Sequence, residues 1–138
     1  MREVGIVYKF SYYGRSIIID GTPGVYRCLS DSATGKTYLY TLVHEISKTG
    51  DKTAVGYTYS DYVENVSLQS LVADDTKIII VDRFDLYANE ELCELLKEYS
   101  KTKIIIMDLK RISKYIYNPG ICSIEMKEGA LNVCLHRI

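Results

Sequence analysis

Lys77-Ile78-Ile79-Ile80-Val81-Asp82 is an unbroken apolar run closed by a carboxylate, and Lys103-Ile104-Ile105-Ile106-Met107-Asp108 nearly repeats it. A strand with one wet face alternates apolar and polar residues. A continuous apolar run fits a strand covered on both faces, the kind that parallel sheets contain. Shared burial in one sheet accounts for the likeness of the two runs, without an internal repeat. Between them, Asn89 is placed to cap a helix whose first turn holds Glu90 and Glu91, charges favoured at the positive end of a helix. Leu92, Leu95, Leu96 and Tyr99 supply its apolar stripe.

Working outward, Val25 to Leu29 follows the turn cluster Gly21-Thr22-Pro23-Gly24 and reads as a strand. Leu39, Leu42, Val43 and Ile46 fall at helical spacing, with Gly50 as the expected cap. Thr53 to Tyr59 is rich in strand formers, and Asp61 to Asp75 predicts one or two short helices. Hairpins are expected at both ends: Val4 to Phe10 with Arg15 to Asp20, and Cys122 to Met126 with Leu131 to Leu135. The expected fold is α/β, a mainly parallel sheet with helices on both faces and antiparallel hairpin strands at the N- and C-termini.

The chain has 138 residues, enough for one core and too few for two domains. A formal net charge of -1 gives no electrostatic reason to expect a nucleic-acid partner. The basic stretch Lys101, Lys103, Lys110, Arg111 and Lys114 is most simply a solvated face. Thirteen tyrosines and no tryptophan suit half-buried strands and interfaces equally. The four cysteines lack zinc-site spacing, and Cys28 and Cys134, in expected strands, suit buried free thiols. His44 and His136 stand on an expected helix surface and near the terminus, with no ligand set around them. No leader opens the sequence and no apolar run approaches ~18 residues. A cytoplasmic protein with no membrane segment is expected.

The strongest chemical signal is Ser30-Asp31-Ser32-Ala33-Thr34-Gly35-Lys36-Thr37, set between an expected strand and an expected helix. Except for Ser30 in place of the leading glycine, it fits G-x-x-x-x-G-K-[ST], a loop whose backbone N–H groups cradle phosphates at a helix start. In that pattern Gly35 permits close approach, Lys36 reaches the outer phosphates and the Thr37 hydroxyl ligates Mg²⁺. Asp82 ends a buried strand downstream. In parallel sheets such strand ends gather at one edge, where a carboxylate can hold the metal through water. Asp108 is expected at the same edge.

On these residues the chain resembles the P-loop NTPases, and within them the additional-strand class that includes AAA and ABC-type ATPases. Gly24 to Thr37 looks like the strand and Walker A loop, and Lys77 to Asp82 like the Walker B strand. The resemblance covers roughly residues 24 to 110. It implies that residues 1–138 form a single three-layer P-loop NTPase-like domain. It also implies that Asp108 is the polar sensor residue, on a strand lying between the first two. The class usually follows the Walker B aspartate with a catalytic glutamate. Here Arg83 stands in that place, leaving Asp85 and Asp61 as substitutes and Asp82, Asp85 and Asp108 as catalytic candidates. No LSGGQ-like signature or helical lid is present.

The implied function is binding of ATP or GTP with Mg²⁺, held by Thr37 and Asp82, with slow hydrolysis or none. The alternative is a degenerate relative that binds a protein partner. A homo-oligomer suits either.

Overall fold

Eight strands, β1 (Ile6–Tyr12), β2 (Arg15–Gly21), β3 (Gly24–Cys28), β4 (Ala54–Tyr57), β5 (Ile78–Val81), β6 (Ile104–Met107), β7 (Gly120–Lys127) and β8 (Ala130–His136), form one sheet in the computed structural model. Their order is β1-β2-β8-β7-β3-β6-β5-β4. Among the described residues four α-helices accompany them: α1 (Ala33–Lys48), α2 (Tyr59–Val63), α3 (Leu68–Leu71) and α4 (Glu90–Tyr99). The structure describes residues 6–12, 15–28, 33–50, 52–108, 119–127 and 130–136, with the backbone alone for 6–8, 10–12, 15, 33–38 and 126–127. Among these residues no helix is long and apolar enough to cross a membrane.

The expectation of a mainly parallel, three-layer sheet with hairpins added at its edges is corrected. Half of the strands belong to two antiparallel hairpins, β1–β2 and β7–β8. The second of these lies inside the sheet. β7 pairs with β3 and β8 pairs with β2, both in parallel, so the sheet is mixed. Among the described residues only α1 and α4 exceed five residues.

Burial patterns give the physical reason. Every residue of β5 and of β6 is buried, as covered faces on both sides require. One apolar cluster joins Leu39, Leu42, Val43 and Ile46 of α1 to Ile78, Ile80, Ile104 and Ile106, and continues to Ile17, Ile19, Leu131 and Val133. The opposite cluster joins Leu96 and Cys93 of α4 and Leu68 of α3 to Val55, Ile79, Val81, Ile105 and Met107. That second layer reaches β4, β5, β6 and, through Val25, β3; among the described residues none of β2 or β8 belongs to it. In β8, Leu131 and Val133 are buried whereas Cys134 is exposed. Cys134 is thus not the buried thiol its strand position suggested.

Lys103 also departs from expectation. It is buried rather than part of a solvated face. Its ammonium donates to the carbonyl oxygens of Thr76 (2.6 Å), Asp74 (3.1 Å) and Ala73 (3.3 Å), which pins the turn before β5. Lys110, Arg111 and Lys114 lie outside the described residues.

Candidate functional site

The five successive strands β7, β3, β6, β5 and β4 run parallel to one another, and β6 lies between β3 and β5. Register then lines up their carboxyl ends. Cys28 pairs with Cys122, Arg27 with Met107, and Met107 with Val81. One residue on, Cys28, Asp108 and Asp82 therefore stand side by side. Alternation also sets the face. Tyr26 and Cys28, Ile104 and Ile106, and Ile78 and Ile80 belong to the α1-side cluster. Asp108 and Asp82 follow in the same phase. Two carboxylates and a thiol thus share the carboxyl edge on the α1 face.

Backbone hydrogen bonds hold that edge. The Asp108 N–H donates to the Val81 carbonyl (3.0 Å) and the Phe84 N–H to the Asp108 carbonyl (2.9 Å). The Asp82 N–H donates to the Tyr57 carbonyl (2.9 Å), and the Tyr87 hydroxyl donates to the Asp82 carbonyl (2.6 Å). Asp108 is buried and Asp82 half-buried. The ends of β4, β5 and β6 are thereby stitched into one rigid lip.

Arg83, next to Asp82, has left-handed backbone angles (φ 47°, ψ 51°). Its guanidinium donates twice to the Asp85 carboxylate, Nε to Oδ1 and Nη2 to Oδ2, each at 3.1 Å. Those hydrogen bonds hold the guanidinium above its ordinary pKa. Asp85 is therefore occupied by the very residue that replaces the expected glutamate. Asp61 is occupied too. Its N–H donates to the Thr58 hydroxyl (3.2 Å) while its Oδ2 accepts from the Thr58 N–H (2.9 Å), a reciprocal cap on α2.

Ser30, Asp31 and Ser32 lie outside the described residues. Ala33, Thr34, Gly35, Lys36 and Thr37 are the first five residues of α1. Lys36 stands one turn before Tyr40, so the two occupy the same face of the helix.

Tyr40 was not among the residues that the sequence singled out. Its hydroxyl is buried with no hydrogen-bond partner among the described residues. Burial foremost, then the charges at Cys28, Asp108, Asp82 and Cys122, push the phenol well above its ordinary pKa. All four neighbours belong to the row at the carboxyl edge or its continuation on β7. The spacing from Lys36 could have drawn attention to Tyr40; the missing partner could not be read from sequence. A hydrogen bond with Cys28, and then burial, raise the Cys122 thiol in the same way.

Among the described residues no group of three His, Cys, Asp or Glu is disposed to hold a metal. Asp82 and Asp108 offer hard oxygen donors. These suit a cation that keeps most of its waters, as Mg²⁺ does. No protein-family model matches the chain, and no curated protein matches it.

Proposed function

We propose that the carboxyl edge of β3, β6 and β5, beside the start of α1, binds the phosphates of ATP or GTP together with Mg²⁺. The observation that carries this reading is the row Cys28, Asp108, Asp82 on the α1 face, with Ala33, Thr34 and Gly35 in the first turn of the helix that follows β3 and Lys36 and Thr37 next in it. Such a helix start offers unbonded N–H groups and a positive dipole end to an anion. The position of β6 between β3 and β5 supports the P-loop resemblance, which asks for a polar residue on an intervening strand. Lys36 would meet the outer phosphates, and Thr37 with Asp82 would hold the metal. Bound Mg²⁺ would neutralise charge on the phosphates.

Slow turnover follows from the same residues. Arg83 supplies no base, and Asp85 and Asp61 are engaged in an ion pair and a helix cap. Any hydrolysis would rest on charge stabilisation.

Melting temperature measured with and without millimolar Mg·ATP or Mg·GTP tests the reading, because a ligand that binds only the folded state must raise it. Wild type is expected to shift by several degrees, roughly what a ligand at ~100 times its Kd gives a domain this size. Lys36→Ala is expected to lose most of that shift. A wild type that ignores both nucleotides sinks the proposal.

One observation favours a protein-binding surface instead. Tyr59 and Tyr62, both exposed, stack on buried Tyr87 with ring centroids 6.3 and 5.3 Å away. Val63, in α2, and Leu86, in the 3₁₀ turn Phe84–Leu86, are exposed as well. A contiguous exposed apolar patch of this kind is commonly an interaction site.

A further inference from the structure

We propose that the Tyr40 hydroxyl is a ligand contact, donating a hydrogen bond to an oxygen of the bound nucleotide–Mg²⁺ unit. This rests on the nucleotide reading above and adds to it a residue that the phosphate-loop pattern does not contain.

A buried hydroxyl without a partner costs free energy, and native proteins leave few of them. The Tyr40 hydroxyl is one, with no partner among the described residues. It is not stranded in an apolar core, because the groups acting on it are Cys28, Asp108, Asp82 and Cys122. These belong to the edge where the carboxylates converge. Tyr40 also shares a face of α1 with Lys36, one turn nearer the helix start. A ligand lying between that helix start and the carboxylates comes within reach of the Tyr40 hydroxyl.

The chemistry fixes the direction of the bond. Buried, and with Cys28 and two carboxylates nearby, the phenol keeps its proton, so it can donate and adds no negative charge. The acceptor is then an anionic oxygen or a water on the cation. Both belong to the nucleotide–Mg²⁺ unit. The free protein holds the donor ready, and binding satisfies it.

Tyr40→Phe removes the hydroxyl and keeps the ring, so α1 retains its packing. The expected result has two opposite signs. Without ligand the variant melts a few degrees higher than wild type, since the orphaned group is gone. With Mg·ATP or Mg·GTP it binds roughly tenfold more weakly and its thermal shift shrinks. Repeating the titration with nucleotide in excess EDTA separates the two acceptors. A deficit that persists identifies a phosphate oxygen, and one seen only with Mg²⁺ identifies a metal-bound water; either supports the assignment. A lower melting temperature in the ligand-free variant would mean that the hydroxyl already has a partner and would overturn it. Equal affinities in variant and wild type overturn this assignment alone. No binding by wild type overturns the nucleotide reading and this assignment together.

Discussion

Lys103 shows how far a single residue can depart from what its neighbours in sequence suggest. It sits in a basic stretch, yet its ammonium serves three carbonyls of the turn at residues 73–76. Thr76 locks the same turn, donating to the Lys52 carbonyl (2.6 Å) and accepting from the Ala73 N–H (2.9 Å). Lys103→Met keeps the stem and takes the ammonium from the Asp74 and Thr76 carbonyls, while the Ala73 carbonyl keeps the Thr76 N–H (3.1 Å), so a loss of about 2–3 kcal/mol is expected, read from the urea midpoint. A change within ~0.5 kcal/mol would mean that the ammonium is no staple. The phenols give a second expectation at this scale. Burial is the leading cause raising Tyr40, Tyr57 and Tyr87. The folded chain therefore keeps protons that the unfolded chain releases near pH ~10, and unfolding becomes proton-releasing there. Their contribution is complete below pH ~10 and is lost as pH rises further. Urea midpoints from pH 8 to 11 should be level and then fall, less steeply in Tyr87→Phe. Asp82 and Asp108 were legible because an apolar run ends in each. Lys103 and Tyr40 were not, because tertiary structure decides what faces them.

Elements were legible where local chemistry decides them. Asn89 caps α4 as its sequence implied, its side chain accepting from the Leu92 N–H at 2.8 Å. The α1 stripe Leu39, Leu42, Val43 and Ile46 is buried throughout, and Gly50 takes a positive φ of 92° at its end. The segment after β4 was harder to read. Thr58 opens α2 by reciprocal bonding with Asp61, a short-range signal that draws Tyr59 into the helix instead of the strand. The same bond removes Asp61 from the list of plausible bases. Its carboxylate is spent on the N-terminus of a five-residue helix, which cannot persist in water without such support. Gly120 illustrates a constraint that no local pattern carries. A β-carbon there would come within 2.5 Å of the Tyr26 ring and 2.7 Å of the His136 carbonyl. Only glycine lets β7 approach β3 at that point.

At the scale of the molecule, the sheet divides into two unlike halves, and sequence periodicity foretold only one of them. Continuous runs correctly marked β5 and β6 as covered on both faces. The hairpins were recognised as hairpins, but local pattern cannot say where they join, and β8 pairs with β2 instead of forming an edge. Along β8, Leu131 and Val133 turn inward to the α1-side cluster while Cys134 faces out. This asymmetry can be counted chemically. Cys28, Cys93 and Cys122 are buried, and hydrogen bonding and burial hold the Cys122 thiol in its unreactive protonated form. The native chain should therefore take up one equivalent of iodoacetamide, at Cys134, and the chain in denaturing urea four. Peptide mass mapping would identify the site. A native stoichiometry of zero would show that a second layer covers β8 after all. Label mapped to Cys28 or Cys122 would show that the core around them opens on the timescale of alkylation. That second result would bear directly on the candidate site, since those thiols neighbour the Tyr40 hydroxyl.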